Sequence, residues 1–305
     1  MAKRKKSKKT LRRVLAAVLI LILVMGLTVG MFATRAYMRL TGADFPTALR
    51  DTAKLGFGYI ANVLSPRGDA VAPNPYHSDD YYFRGGLLQC TASEVSRAGI
   101  DVSLHQQEID WQAVADAGID FAIIRAGYRG YTEGEVFVDS RAVENLEGAL
   151  AAGLDVGIYF FSQATSESEA REEADLVLDL IDGYDIRYPV FYDWEGIVSD
   201  ARTDDISGEE MTAFAHAFCE RIESAGYTAG VYFNQSYGLR RFDLRALRDY
   251  EFWLAEYHDT QSFPYEVQLW QYNCEATLPG IETTVDLNLC YRHYPIETEE
   301  SSDAE

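Results

Sequence analysis

Cysteine and histidine are scarce in this chain of 305 residues, which contains four cysteines and five histidines. The cysteines show no Cys-x-x-Cys spacing, and the dispersed histidines form no His-Glu-x-x-His motif. Zinc sites and metal-dependent hydrolases need such patterns, so we expect neither a metal nor a cofactor. Cys274 and Cys290 could close a short loop as a disulfide. Cys219 stands at an apolar helical position that is typical of a buried thiol.

Basic residues are few outside the N-terminus. The chain carries 27 Lys and Arg against 48 Asp and Glu, a net charge of −21. Eight of the basic residues lie in residues 1–13, which contain no acid, so the other 19 face all 48 acids and the rest of the chain has a net charge of −29. Because neutralisation of phosphates dominates nucleic-acid binding, we do not expect a nucleic acid as partner.

Long hydrophobic runs are also absent, with one exception. Residues 14–33 contain no charged side chain, and a run of this length suits a helix that spans a bilayer. The basic segment 1–13 on its N-terminal side predicts a cytoplasmic N-terminus, one span of the cell membrane and an exported body. A cleaved signal peptide is the alternative, but Thr34-Arg35-Ala36 fits the small-residue cleavage site poorly. We therefore expect an uncleaved anchor.

The remaining chain divides by composition. Residues 34–98 are predicted to form a juxtamembrane segment and linker, with Pro, Gly and Asn concentrated in 65–75. The aromatic residues of 76–98 leave open whether that part packs on the body. Residues 99–292 are predicted to form one domain, since about 200 residues suffice for a sizeable core. Residues 293–305 are an acidic tail with little to bury. No obligatory protein partner is indicated.

A helix–Gly–strand pattern recurs through the body. The pairs Ala117-Gly118, Ala152-Gly153 and Ala225-Gly226 each precede an apolar run rich in Ile, Val, Tyr or Phe. Glycine just past a helix supplies the left-handed residue that ends it, and a continuous apolar run suits a strand buried on both faces. Alternating helices and strands of this kind predict a parallel sheet.

Eight strands and about five helices follow from this pattern. The helices stop near residue 250 while strands continue, which predicts a modified TIM-like α/β barrel rather than a regular eightfold one. Strands are expected at 99–103, 119–126, 154–161, 188–194, 228–233, 251–256, 267–272 and 284–290. Helices are expected at 110–117, 139–152, 166–182, 207–225 and, more weakly, 238–248.

Two carboxylates close the apolar segment 188–195. Asp193 and Glu195 are spaced i, i+2, which in a strand puts both side chains on one face. Paired carboxylates at the end of a buried strand are costly unless they serve chemistry, and glycosidases need such a pair. The negative charge of its neighbour is expected to raise the pKa of Glu195 and keep it protonated. The segment therefore predicts a site that cleaves sugars.

Further acids and aromatics stand at predicted strand ends. Active residues of barrels lie where strands end at the C-terminal face, so we expect these side chains to converge around the pair. Aromatic rings suit the apolar face of a sugar, although core packing fits the same residues. The candidates for substrate binding are Asp101, Asp286, Glu256, Tyr128, Tyr159 and Tyr257.

Seven short segments, in this order, resemble the family 25 glycoside hydrolases, the N-acetylmuramidase lysozymes. They are Gly99-Ile-Asp-Val-Ser-Leu-His-Gln106, Ile109-Asp-Trp111, Phe121-Ala-Ile-Ile-Arg-Ala-Gly-Tyr128, Pro189-Val-Phe-Tyr-Asp-Trp-Glu195, Trp270-Gln-Tyr272, Pro279-Gly-Ile281 and Val285-Asp-Leu-Asn288. The resemblance implies hydrolysis of the β-1,4 bond between N-acetylmuramic acid and N-acetylglucosamine in peptidoglycan, on a modified barrel without a metal.

The resemblance also implies roles for the acids. Glu195 would be the general acid, and Asp193 would stabilise the oxocarbenium-like centre, as a nucleophile or by orienting the acetamido group of the substrate. Asp101 and Asp286 would position the substrate. The chain departs from the family at Gln107, where glycine is usual, and in Tyr159-Phe-Phe161, which lacks the histidine often found after that tyrosine.

Two alternatives compete with this interpretation. A family 18 hydrolase would carry acids where this chain has Tyr188 and Phe191, so the residues exclude it. A catalytically inactive, membrane-tethered peptidoglycan-binding module on the same barrel is the alternative, because fold alone does not establish activity. Replacing Glu195 by Gln separates the two, since only an enzyme would lose hydrolysis.

Overall fold

The computed structural model describes residues 71–197 and 200–294. The predicted cytoplasmic segment 1–13, the bilayer span 14–33 and nearly all of the acidic tail lie outside these residues. No helix of the described part of the chain is long and apolar enough to cross a membrane.

The described residues form eleven strands and five α-helices. The strands are β1 (Tyr81–Arg84), β2 (Leu87–Cys90), β3 (Arg97–Val102), β4 (Phe121–Arg129), β5 (Val136–Val138), β6 (Asp155–Ser162), β7 (Val190–Trp194), β8 (Ala229–Asn234), β9 (Glu251–Ala255), β10 (Leu269–Ala276) and β11 (Val285–Cys290). The helices are α1 (Trp111–Asp116), α2 (Ala142–Ala151), α3 (Glu167–Ile181), α4 (Gly208–Ser224) and α5 (Gln235–Arg240).

Eight of these strands close into a barrel. They pair in the order β3-β11-β10-β9-β8-β7-β6-β4, and β4 pairs again with β3, while β5 extends β4 as an antiparallel edge. The prediction of a modified TIM-like barrel with eight strands and about five helices is confirmed. The fifth helix is displaced from the predicted 238–248, because the Asn234 side chain caps it directly at the end of β8 by accepting from the Tyr237 N–H.

The direction of β11 differs from the expected parallel sheet. β11 runs antiparallel to both β10 and β3, whereas all other pairings within the barrel are parallel. Residues 277–284, which join β10 to β11, contain no helix. A parallel crossover needs a dozen or more residues, so this short connection allows only the antiparallel return.

Large apolar side chains fill the barrel below its C-terminal end. Phe121, Phe191 and Trp253 are almost completely buried there and belong to one cluster with Tyr188 and Leu269. Glycines on neighbouring strands make the room for two of these rings. A Cβ at Gly99 would lie 2.2 Å from the Phe121 ring, and one at Gly230 would lie 2.4 Å from the Phe191 ring. The barrel is therefore a packed core with its open space confined to one end.

The segment 71–98 packs on the barrel where helices are lacking. Tyr76 stacks on Tyr291 with ring centroids 4.5 Å apart, and Tyr81 meets the edge of Trp270 at 5.2 Å. The backbone N–H of Leu88 donates to the Tyr272 hydroxyl over 3.2 Å. The outer apolar face of β10, β11 and β3 must be buried against another layer, and the β1–β2 hairpin supplies it. The open question about 76–98 is answered by these contacts.

The proposed disulfide between Cys274 and Cys290 is wrong, because both residues are free thiols. Cys290 pairs with Leu269 in the antiparallel β10–β11 ladder, whereas Cys274 lies five residues further along β10. Five residues of strand span roughly 16 Å, and a disulfide needs Cα atoms within about 7 Å. Cys219 is buried on α4, as its apolar position predicted.

Candidate active site

A pocket of about 240 Å³ opens at the C-terminal end of the parallel strands. Its walls are mostly carboxylates, aromatic rings and amides that face the barrel interior. The lining residues are Asp101, Arg125, Tyr159, Phe161, Asp193, Glu195, Tyr232, Trp253, Tyr257, Gln271 and Asp286. Six of the eight predicted site residues are therefore brought together, and Tyr128 and Glu256 are not.

Strand register explains why acids distant in sequence meet. Asp101 near the end of β3 pairs with Asp286 near the start of β11. Because β11 is antiparallel, its start lies at the end of the barrel where the parallel strands finish. Asp193 is the fourth residue of β7, and Glu195 directly follows that strand. Their side chains enter the same pocket, as the i, i+2 spacing predicted.

Asp101 and Asp286 form a hydrogen-bonded pair. Asn288 Nδ2 and Gln271 Nε2 each donate to Asp101 Oδ2 over 2.8 Å. Burial raises the pKa of Asp101, and these donors together with Asp286 oppose the rise. Burial and the charge of Asp101 raise the pKa of Asp286 to about 9. The hydrogen bond between them raises the pKa of Asp286 and opposes the rise at Asp101, so it favours the proton on Asp286.

Asp193 is a strongly perturbed carboxyl of the pocket. Burial, then the charges of Glu195 and Asp101, raise its pKa well above the usual range, and Arg125 partly opposes them. Its Oδ1 is buried and has no hydrogen-bond partner among the described residues. An unpartnered buried carboxylate oxygen is costly in the free protein. Substrate groups are therefore its natural partners.

Glu195 has the raised pKa that the sequence predicted, but for a different main reason. Burial is the larger cause, and the charge of Asp101 is the second. Asp193 and Glu195 also interact, since the charge of Glu195 raises the pKa of Asp193. Since burial and neighbouring charge raise the pKa of both Asp193 and Glu195, these shifts alone do not assign the acid and the base.

Arg125 is the one cation among the pocket's lining residues, and the sequence predicted no role for it in the site. Its Nε donates to Asp139 Oδ2 over 2.7 Å, and the Asp139 side chain is fully buried. The guanidinium also lies over the Tyr128 ring, 5.4 Å from its centroid. A signal existed, because alternation along β4 puts Phe121, Ile123 and Arg125 on one face, and an arginine in a buried strand is rare.

Gln271 links the acids to the aromatic wall. While its amide nitrogen donates to Asp101, its Oε1 accepts hydrogen bonds from the hydroxyls of Tyr232, over 3.0 Å, and Tyr257, over 3.1 Å. Tyr257 is half exposed, so one edge of its ring is free to meet a ligand. Tyr159 meets the Trp253 ring edge-on at 5.9 Å deeper in the pocket. Gln271 lies in the segment Trp270-Gln-Tyr272 that carries the family resemblance, but the sequence predicted no role for it.

Tyr128 and Glu256 lie outside the pocket. Tyr128 stacks on Phe137 of the β4–β5 hairpin, with ring centroids 5.2 Å apart, and supports Arg125 from below. Glu256 accepts hydrogen bonds from the Ser262 backbone N–H, the Ser262 hydroxyl and Gln235, so its carboxylate organises the loop after β9. The position of Glu256 does not support the predicted role in substrate binding.

Gln107, which stands where the family usually has glycine, adopts φ +60°. It is the one non-glycine residue with positive φ among residues 71–197 and 200–294. With ψ at −132°, this conformation is nearly restricted to glycine. The strain explains why glycine suits the position.

Comparisons with known proteins agree with this geometry. Residues 100–281 match the model of the glycosyl hydrolases family 25. Lysozyme M1 of Streptomyces globisporus is 29% identical over 204 residues, which cover 62% of this chain and 66% of that protein. An autolytic lysozyme of Clostridium acetobutylicum is 24% identical over 191 residues, covering 62% of this chain and 54% of that protein.

A solved structure shows the same architecture. The modular autolysin LytC of Streptococcus pneumoniae superposes with a TM-score of 0.59 and 25% identity, over 69% of this chain and 52% of LytC. The match spans about half the length of that autolysin. LytC has also been solved in complex with a synthetic peptidoglycan ligand, and that structure superposes with a TM-score of 0.56 at 24% identity over the same shares.

Proposed function

Since the chain belongs to the glycosyl hydrolases of family 25, we propose that it hydrolyses the β-1,4 bond between N-acetylmuramic acid and N-acetylglucosamine in peptidoglycan. The observation that carries this proposal is the convergence of Asp193, Glu195, Asp101 and Asp286 in one pocket. The lysozymes and the autolysin among its relatives support it. The glycan strand of the bacterial wall is then the substrate.

Glu195 is the proposed general acid. Burial and the charge of Asp101 raise its pKa, so it can keep a proton that an exposed glutamate would lose. It donates this proton to the glycosidic oxygen as the bond to the sugar carbon breaks. The resulting carboxylate then accepts a proton from the water that attacks the sugar, which restores the acid.

Asp193 is the proposed partner of the cationic sugar. Its free Oδ1 either attacks the sugar carbon or accepts a hydrogen bond from the acetamido N–H and orients that group as the nucleophile. Both routes need an ionised Asp193. Arg125 favours this form, and the positive charge that develops on the sugar favours it further. Asp101 and Asp286, joined by one proton, then offer both an acceptor and a donor to sugar hydroxyls.

The test is mass spectrometry of soluble products from purified peptidoglycan treated with the full chain. We expect fragments that end in reducing N-acetylmuramic acid. The Glu195→Gln variant should release none, because the amide cannot donate the proton in this way, while Glu209→Gln, an exposed position on α4, should match the wild type. Fragments ending in reducing N-acetylglucosamine would contradict the proposed bond.

The binding-module alternative makes the opposite prediction. Intact wall with bound wild-type chain, and equal binding by Glu195→Gln, would favour a module without activity.

We also propose that residues 14–33 anchor the enzyme in the cell membrane with its N-terminus cytoplasmic and its barrel outside. The uncharged run and its basic flank support this proposal. Protease added to intact cells should digest the barrel and spare a membrane-bound N-terminal fragment. Release of the barrel by a salt wash would contradict the anchor.

A further inference from the structure

We propose that Gln163 is a positioning residue for Glu195: its side-chain amide holds the backbone that carries the acid and so directs the acid at the glycosidic oxygen. The inference rests on the proposed function. Gln163 directly follows β6, and its side chain is completely buried. It is not among the residues that line the pocket, so it acts only through the residues it binds.

Each polar atom of the Gln163 amide has a specific partner. Nε2 donates to the carbonyl oxygen of Glu195 over 2.7 Å and to that of Ser162 over 2.8 Å. Oε1 accepts from the Thr203 hydroxyl over 2.8 Å. Two donors and one acceptor are thus in use, and the threonine bond fixes which way the amide faces. Thr203 is itself buried.

The bond to Glu195 replaces strand pairing at the place where pairing stops. The parallel register of β6 and β7 ends with Ser162 beside Trp194. Glu195 is the first residue beyond that ladder, and it lies in neither a helix nor a strand. The hydrogen bond from the Gln163 side chain therefore continues the contact between the two chain segments for one residue beyond the end of the strand pairing. That residue is Glu195, the proposed acid.

Arg202, the residue before Thr203, is also held by hydrogen bonds. Arg202 donates to both carboxylate oxygens of Glu169 over 2.7 and 2.9 Å, and to the Gln163 carbonyl over 3.1 Å. Bidentate pairs of this kind fix geometry well. The Gln163 side chain consequently joins the backbone of Glu195 to the side chain of Thr203. The backbone that carries the acid is therefore held by a connected set of hydrogen bonds.

The rate of general acid catalysis depends on the position of the acid. A shift of roughly 1 Å can reduce a rate about 100-fold, because the proton must reach the leaving oxygen as the bond breaks. A leaving group that is already acidic needs little protonation, so it is insensitive to the placement of the acid. Comparing two leaving groups therefore separates positioning of the acid from general damage to the barrel.

The experiment uses the full chain and its Gln163→Met variant, which keeps side-chain length but has no amide. Two substrates share the disaccharide to be transferred: the tetrasaccharide of alternating N-acetylglucosamine and N-acetylmuramic acid, and the 4-nitrophenyl β-glycoside of the same disaccharide. We expect kcat on the tetrasaccharide to fall about 100-fold and KM to stay within about threefold. On the nitrophenyl substrate kcat/KM, which reports cleavage of the bond to the leaving group and not the later step in which Glu195 activates water, should fall less than about threefold.

Thr203 provides a second pair of variants should Gln163→Met fold poorly. Thr203→Val removes the hydroxyl that orients the amide, so it should show the same selective loss, and Thr203→Ser should restore the rate on the tetrasaccharide. Equal losses on both substrates, or none on either, would overturn the inference and leave the proposed function standing. A wild-type chain inactive on both substrates would overturn the proposed function and the inference together.

Discussion

The acids at the two ends of the barrel have opposite surroundings. At the end where the parallel strands begin, Asp155 is bound by Arg97 over 2.6 Å and by Arg187 over 2.9 Å. At the other end, the four carboxyls of the pocket have Arg125 as the one cation among the lining residues, and Arg125 is bound to Asp139.

Paired acids at one end contribute to the stability of the fold, whereas the acids of the pocket serve the proposed reaction. Paired acids tie strands together, whereas crowded acids with few cations have raised pKa values. Glu251, at the start of β9, is also paired, because Arg292 and Tyr294 both bind its carboxylate and oppose the rise in pKa that burial causes. Asp193, with its unpartnered oxygen, belongs to the crowded acids. The catalytic end is therefore expected to cost the fold some stability.

The strongest test of this contrast is Asp193→Asn. We expect kcat on peptidoglycan to fall about 1,000-fold or more, because an amide neither attacks the sugar nor balances its positive charge. The melting temperature should rise by about 2–4 °C, since a buried carboxylate without a partner is removed. Calorimetry and product release on one preparation measure both. A fall in both quantities would contradict the contrast.

The next test concerns pH and Asp286. Its pKa is about 9 when folded, far above that of an exposed aspartate, so the folded state holds a proton that the unfolded chain releases. Its contribution to stability is complete at pH below about 4 and is lost as pH rises towards 9. Asp286→Asn should therefore melt several degrees above the wild type at pH 8 and close to it at pH 4. A difference that does not grow with pH would contradict the shift.

The smallest expected effect is at the opposite end. Asp155→Asn weakens the contacts with Arg97 and Arg187, whose side chains are 25% and 34% exposed. Because solvent screens such pairs, we expect a loss of about 1 kcal/mol in the free energy of unfolding. The rate on peptidoglycan should not change. Urea titration gives the first quantity, and a loss of activity without a loss of stability would break the comparison between the two ends.

Local patterns were enough to predict most of the fold. All eight barrel strands lie within a few residues of their expected positions, since long apolar runs bounded by glycine are a local signal. The pair Asp193 and Glu195 was found for the same reason, because side-chain alternation within one strand needs no partner. The weak fifth helix was displaced, since its start depends on the cap that Asn234 forms at the end of β8.

Partners distant in sequence could not be predicted from local patterns. Glu256 and Asp286 both stand at strand ends, yet the loop after β9 binds the first and the pocket receives the second. The role of Arg125 depends on Asp139, and that of Gln163 depends on Thr203, 40 residues away. Nothing in the neighbourhood of any of these residues encodes the contact.

The sequence by itself determined the strands, the four principal helices and the adjacent acids, because residue propensity and side-chain alternation act over a few residues. The tertiary structure decided the direction of β11 and thereby brought Asp286 to Asp101. It also placed the segment 71–98 on the bare face of the barrel and separated Cys274 from Cys290. Strand pairing and the burial of apolar faces depend on the whole chain, so these features appear only when the barrel closes.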